Sequence, residues 1–327
     1  MPGDPASTPT FPACPGAAIG AGAPPVPGER EAGTAPRYRV RVTTIPIPAD
    51  AASGGERQNR RPRSLIVSFF GSYGREIGAW VSVADIIALM AELDVDPPAV
   101  RSAISRLKRR GLLTAEKADG VAGYRLSEHG RAVLADGDHR IFERRTAALG
   151  DGWVLVVFSV PESERHRRHL LRSRLAWLGF GTTAAGVWIA PAHLADEARR
   201  ALDDLDMTRY VQLFRGDHLG FDDLRDAVAG WWDLAALQDM YRTFLADHEP
   251  VLTRWTRRRD TDPSAAFADH LRAVDAWRRM PFLDPGLPPE VLPDQWAGSR
   301  AATVFFDLHA RLCDQGLAHV LAVTGRG

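Results

Sequence analysis

Cysteine and lysine are the two shortages of this sequence. Among 327 residues only Cys14 and Cys313 are cysteines, nearly the whole chain apart. That excludes a disulfide scaffold and a cysteine-built zinc site, and it fits a reducing compartment. An excess of charge of one sign is also absent, since 41 Lys+Arg balance 41 Asp+Glu. The chain is therefore no polycation, and nucleic-acid binding would have to rest on a local patch. Lysine is confined to Lys108 and Lys117, so nearly all positive charge is arginine. A GC-rich coding sequence explains that bias, and arginine abundance alone says little about phosphate binding. No apolar run approaches bilayer length, and the N-terminus lacks the charged-then-apolar order of a signal peptide. The expectation is a cytoplasmic protein without a membrane partner. What is present, 45% hydrophobic and 25% charged residues, is ordinary for a globular chain, and the length predicts two or three domains with real cores.

Residues 1–58 are rich in Pro, Gly, Ala and Ser without a lasting apolar period, which predicts a disordered tail. Within it Tyr38 to Val42 alternates like a strand, with no partner nearby. Leu65, Ile66, Phe69, Phe70 and Tyr73 then recur at helical spacing, ended by Gly71 and Gly74. Ser82-Val83-Ala84-Asp85 reads as a cap opening a second helix with Ile86, Ile87, Met90 and Leu93 on one face. Asp96-Pro97 opens a third, which turns Val100, Ala103, Ile104 and Leu107 inward and stops at Gly111. Leu112 to Lys117 and Gly123 to Leu126 read as short strands around the turn signal Ala118-Asp119-Gly120. Ser127 caps a helix running to about Leu149. This order predicts a winged helix-turn-helix over 59–126 and a connecting helix over 127–150.

The outer face of the third helix carries Arg101, Ser102, Ser105, Arg106, Lys108 and Arg109, with Arg110 at its end. No acid falls between residues 100 and 110. Arginine can grip a guanine edge bidentately, and serine is short enough to let a backbone approach. Arg101, Ser105 and Arg106 are expected at base edges; Lys108, Arg109 and Arg110 are expected on phosphates, which position without reading sequence. On the wing, Lys117, Tyr124 and Arg125 are candidates for phosphate or the minor groove. The competing reading is a protein-interaction module whose exposed positions are filled by the arginine bias.

From Asp151 the pattern changes. Trp153 to Pro161 is a continuous apolar strand. Glu162 to Leu178 follows as a helix with Leu170, Leu171, Leu175 and Leu178 inward. Strands at Phe180 to Thr183 and Val187 to Ala190, a helix from His193 to Leu205 and a strand from Arg209 to Arg215 complete a βαββαβ order over 151–218, that of a ferredoxin-like sandwich. Residues 219–327 read almost wholly as helix: a long one marked by Trp231, Trp232, Leu234, Leu237, Met240, Tyr241 and Phe244, another over about Ala265 to Met280, a rigid loop from Asp284 to Glu290, and a closing helix over 299–321. The whole is a multidomain α+β chain. His166 and His169 have metal-compatible spacing but sit among arginines. His309 and Cys313 lack further ligands, and no nucleophile elbow is present. No catalytic or metal residue is therefore assigned.

These residues resemble the PaaX family of phenylacetate-catabolism repressors. The resemblance is carried by Pro62-Arg63-Ser64-Leu65-Ile66 with Phe70-Gly71, Ala99 to Leu107, and Tyr124-Arg125-Leu126-Ser127. It continues in Gly152-Trp153, Val160-Pro161-Glu162, Leu178 to Gly181 and Gly186 to Pro191, and then in Asp284-Pro285, Leu287 to Glu290, Leu292-Pro293 and Trp296. It implies a dimeric repressor with a winged helix, a Cas2-like middle domain and a helical C-terminal domain, bound to an inverted-repeat DNA operator. A small-molecule effector, phenylacetyl-CoA or another acyl-CoA, would release it. Such a ligand needs aromatic walls and an arginine, for which Trp188 and Arg172 are the candidates. The middle domain raises a metal-dependent nuclease as the rival, which Ser159 opposes: it stands at the end of the first strand, where Cas2 nucleases place a metal-holding Asp, and a neutral hydroxyl is a poor magnesium ligand.

Overall fold

The computed structural model describes residues 54–221 and 223–326, with side chains from Pro62 onward. The alternating run Tyr38–Val42 and most of the expected tail lie outside the described residues. Helix α1 (Gly54–Phe69) leads into a wide turn, Phe70–Gly74. Strand β1 (Trp80–Ser82), α2 (Val83–Ala91), α3 (Pro97–Arg109), β2 (Leu113–Ala118), β3 (Val121–Leu126) and α4 (Glu128–Phe142) follow.

The caps behave as local chemistry requires. Ser82 Oγ accepts the Asp85 N–H at 3.0 Å, an Asp96 carboxylate oxygen accepts that of Ala99 at 2.7 Å, and Ser127 Oγ accepts that of Gly130 at 2.8 Å. Each satisfies an N–H that the first helical turn leaves without a partner. Asp119 and Gly120 both adopt positive φ (51° and 81°), which closes the β2–β3 hairpin tightly with Ala118 opposite Val121. Sheet order is β1-β3-β2. Strand β1 is an addition to the elements expected from the sequence. It pairs with β3, Val81 facing Tyr124, and Trp80 lies over Gly123, where a Cβ would come within 2.5 Å of the indole.

Helix α4 stops at Phe142 rather than near Leu149. The chain is pulled off the helical path because Arg144 reaches the buried carboxylate of Asp284 at 2.7 Å, and the Ala147 N–H donates to Gly286 O at 2.9 Å. Asp284 also accepts the Tyr241 hydroxyl (2.6 Å) and the Gly286 N–H (2.8 Å).

The middle unit comprises β4 (Trp153–Phe158), α5 (Arg165–Trp177), β5 (Gly181–Ala184), β6 (Val187–Pro191), α6 (Ala195–Asp204) and β7 (Val211–Gly216). Its antiparallel sheet has the order β5-β6-β4-β7, as the βαββαβ reading requires. Val154, Val156, Trp188 and Ala190 face α5 and α6 in one core with Leu171, Leu175 and Leu178. Leu170, expected inward, is 37% exposed, because it lies a helical step away from that row. The other sheet face, with Trp153 and Ile189, packs on Val228, Trp232, Leu234 and Leu237. Both faces are thus covered, as the apolar run of β4 implies.

The remaining helices are α7 (Leu224–Trp231), α8 (Leu234–Arg257), α9 (Pro263–Trp277), α10 (Met280–Leu283) and α11 (Ala297–Val323). The single helix expected from Trp231 through Phe244 is two. Asp233 caps the second, accepting the Ala236 N–H at 2.9 Å, and the Trp232 indole leaves the helical line to donate to Gly179 O at 2.8 Å.

The N-terminal helices do not close their core alone. Leu65, Ile66, Phe69 and Tyr73 of α1 and its turn, Ile86, Leu89 and Met90 of α2, and Val100, Ile104 and Leu107 of α3 share it with Phe267 and Leu271 of α9 and Val320 of α11. Polar ties reinforce the junction. Ser64 and Ser68 donate to Asp275 at 2.6 and 2.8 Å. Glu92, at the end of α2, bonds Ser264 at 2.8 Å and His319 at 2.7 Å. Tyr73 OH lies 2.5 Å from His270 Nδ1.

Candidate nucleic-acid interface

The Asp96 cap starts α3, and its apolar period decides what it hides. Val100, Ala103, Ile104 and Leu107 are its buried residues. Everything on the other side follows from that anchoring. Arg101, Ser102, Ser105, Lys108, Arg109 and Arg110 are exposed, and Arg106 is half-buried at the edge of the face. Among the described residues none of these cations has an ion-pair partner. By contrast, arginines such as Arg75, Arg140, Arg144 and Arg278 are held by carboxylates at 2.5 to 3.3 Å. Lys108 and Arg109 also lie in the last turn of α3, where positive charge offsets the helix dipole. An unpaired cationic face attracts phosphate, and its arginines keep all donors free for oxygen acceptors.

The hairpin behaves differently from its sequence pattern. Lys117 is exposed near the tip. Tyr124 leans against the N-terminal core. Arg125 spends its fork on Glu116, at 2.6 and 2.8 Å, and on Gly78 O at 2.9 Å. Its guanidinium is a strut between the hairpin and the loop before β1, with its charge matched. The Glu116 carboxyl is correspondingly held below its ordinary range by that hydrogen bond. Of the three wing candidates only Lys117 remains a free cation. The sequence reading also passed over Val121, which is 50% exposed beside the turn; in a strand pattern it counts as core, and only the hairpin's projection brings it out.

The two effector candidates are not brought together as a site. Trp188 is 7% exposed inside the core beneath α5 and α6, because its position on β6 faces the helical layer. It offers no ligand wall. Arg172 is exposed on α5. Ser159 follows β4, its N–H donating to Tyr210 O at 3.0 Å. Among the described residues no group of three His, Cys, Asp or Glu is placed to hold a metal ion, and no helix is long and apolar enough to cross a membrane.

Comparison with known proteins accounts for all three segments. Residues 61–130 match the family described as PaaX-like protein, 146–228 the PaaX protein central Cas2-like domain, and 232–322 the PaaX-like protein C-terminal domain. The transcriptional repressor PaaX of Escherichia coli (strain K12) is 26% identical over 264 residues, 79% of this chain and 82% of that protein. A solved structure, the uncharacterized protein Rv0674 from Mycobacterium tuberculosis, superposes with a TM-score of 0.53 at 22% identity, covering 79% of this chain and 98% of its own; that likeness concerns the fold. With three successive domains matched in order over most of its length, the chain belongs to the PaaX family.

Proposed function

We propose that the chain is a DNA-binding transcriptional repressor in which α2 and α3 form the helix-turn-helix and the β2–β3 hairpin is the wing. The observation that carries this reading is the unpaired cationic face of α3, set outward by a fully buried opposite face. The repressor named among its relatives supports it. Arg101, Ser102, Ser105 and Arg106 read base edges in the major groove; Lys108, Arg109, Arg110 and Lys117 grip phosphates. Arg125 acts by holding the wing rather than by touching DNA.

The protein acts as a dimer on an inverted repeat. In support of self-association, among the described residues β7 is an edge strand with one ladder neighbour, and Leu213 and Phe214 on it are 36% and 52% exposed. An acyl-CoA effector, phenylacetyl-CoA being the first to try, shifts the dimer to a spacing that no longer fits. Repression by occlusion asks no bond-making of the protein. The test is gel-shift and footprinting on DNA upstream of the protein's own gene and its neighbours, under excess random competitor. A protected inverted repeat, lost in Arg101→Ala/Arg106→Ala, supports the reading. Equal binding to all fragments by both proteins refutes it.

A further inference from the structure

A cleft of about 400 Å³ opens between α8 and α9 and is floored by Leu65 of α1. That size is at the lower end of small-molecule pockets, roughly 300 to 1,000 Å³. Its walls are Asp247, His248 and Val251 from α8 and Asp269, Arg272, Asp275 and Ala276 from α9. Three carboxylates and one guanidinium therefore face a space with an apolar floor.

Most of these polar groups are already spoken for. Asp269 accepts from Arg254 at 2.5 Å and from the Trp255 indole at 2.7 Å. Asp275 holds Ser64 and Ser68 at 2.6 and 2.8 Å and Arg278 at 3.3 Å. Arg272 reaches Asp94 at 3.2 Å and stands 4.0 Å from Asp269. Two groups are left. Asp247 is exposed at the mouth, and no ion pair or hydrogen bond engages its carboxylate among the described residues. His248 is 8% exposed, its ring tilted 38° against Phe244 at 4.5 Å between ring centres, and among the described residues nothing bonds its ring nitrogens. Neither nitrogen is among the fully enclosed unpartnered polar atoms of the described residues, so the little surface the ring keeps opens into the cleft that it lines.

We propose that this cleft binds a small organic cation, an ammonium group on an apolar stem. The ammonium N–H groups donate to the Asp247 carboxylate and to a ring nitrogen of neutral His248, while Leu65, Val251 and Ala276 take the stem. An anion is excluded by the wall itself. It would meet three carboxylates, and the one guanidinium there is already committed to Asp94. The polyphosphate of an acyl-CoA is unsuited to this cleft for the same reason, so the site is separate from any that such an effector uses. Because Leu65 lies on α1 and Asp275 holds two α1 serines, the ligand contacts the base of the proposed DNA-binding unit. Binding itself is read without DNA, so it stands or falls independently of the repressor reading.

The test uses the full chain and thermal-shift and calorimetric titration with benzylamine and n-hexylamine, against benzyl alcohol and benzoate. The amines should bind saturably and raise the melting temperature by about 3 °C at ten times their Kd. Asp247→Asn should weaken amine binding about tenfold or more, the usual worth of a charge-assisted hydrogen bond. His248→Leu should fold, since it keeps an apolar side chain of similar size against Phe244, and yet lose the amine response. The proposal is overturned if neither amine binds at millimolar concentration, if benzyl alcohol or benzoate binds as well, or if both variants bind the amines like the parent.

Discussion

Replacing Lys108 and Arg109 together by alanine isolates the electrostatic role assigned to the end of α3. Both side chains are exposed and unpaired, so their removal leaves no buried partner stranded. The cost to folding is limited to their interaction with the helix C-terminus, about 0.3 to 1 kcal/mol each. That is a melting shift of a few degrees at most in a chain this size. The cost to DNA binding is larger. Each phosphate contact contributes about 0.9 to the slope of log K against log salt, so losing two lowers the slope by about 1.8. At about 0.1 M salt the same relation gives an affinity loss of roughly 60-fold. The assay is fluorescence anisotropy on a random-sequence duplex from about 50 to about 300 mM salt, where base readout plays no part. Arg311→Ala, an exposed arginine on α11, is the control and should leave the slope unchanged. A double variant with the parental slope, or a control that loses as much, would refute the placement of phosphate on this helix.

Three further outcomes follow from the geometry. Asp284→Ala strands Arg144, whose side chain is 15% exposed, and the Tyr241 hydroxyl; urea unfolding should show a loss of about 3 to 5 kcal/mol, and a loss below about 1 kcal/mol would contradict its role as the pin of the linker after α4. Arg125→Ala removes a half-exposed pair with Glu116 and, because solvent screens such a pair, should leave the urea midpoint nearly unchanged while changing random-duplex affinity less than Lys117→Ala does, by the same anisotropy assay. Burial, with Arg145 and Arg140 nearby, holds the His193 imidazole down at about 4. The unfolded chain, with the ordinary value of about 6.5, therefore takes up that proton first on acidification. The stability this group contributes is complete above about pH 6.5 and declines as pH falls toward 4. Urea midpoints at pH about 7.5 and about 5 should differ in that direction, and by less in His193→Gln.

What the sequence makes legible here is periodicity, and what it hides depends on partners far along the chain. The inward row of α3 is readable because four apolar residues at helical spacing admit one burial face, and the cationic face is its complement. The β2–β3 hairpin is readable from Asp119-Gly120. Strand β1 is not, because three residues carry no alternation and become a strand only by pairing with β3. The Trp231-to-Phe244 stripe conceals a break, since an aromatic stripe looks continuous across a cap such as Asp233. Arg125 looks like a wing cation because its partner is set by register: Thr114 stands opposite it, which places Glu116 on the diagonal. Trp188 looks like a pocket wall because nothing local says which sheet face it takes. The shared core of the N-terminal helices with α9 and α11 is invisible for the same reason, and it binds the proposed DNA reader to the C-terminal helices.

Selection from a random duplex pool measures whether α3 reads sequence. Rounds of capture by the purified full chain at about 0.15 M salt should enrich an inverted repeat whose half-sites lie about one helical turn, or a multiple of it, apart. Arg101→Ala/Arg106→Ala should enrich nothing. A parental protein that enriches no motif, or a double variant that enriches the same one, would contradict the account.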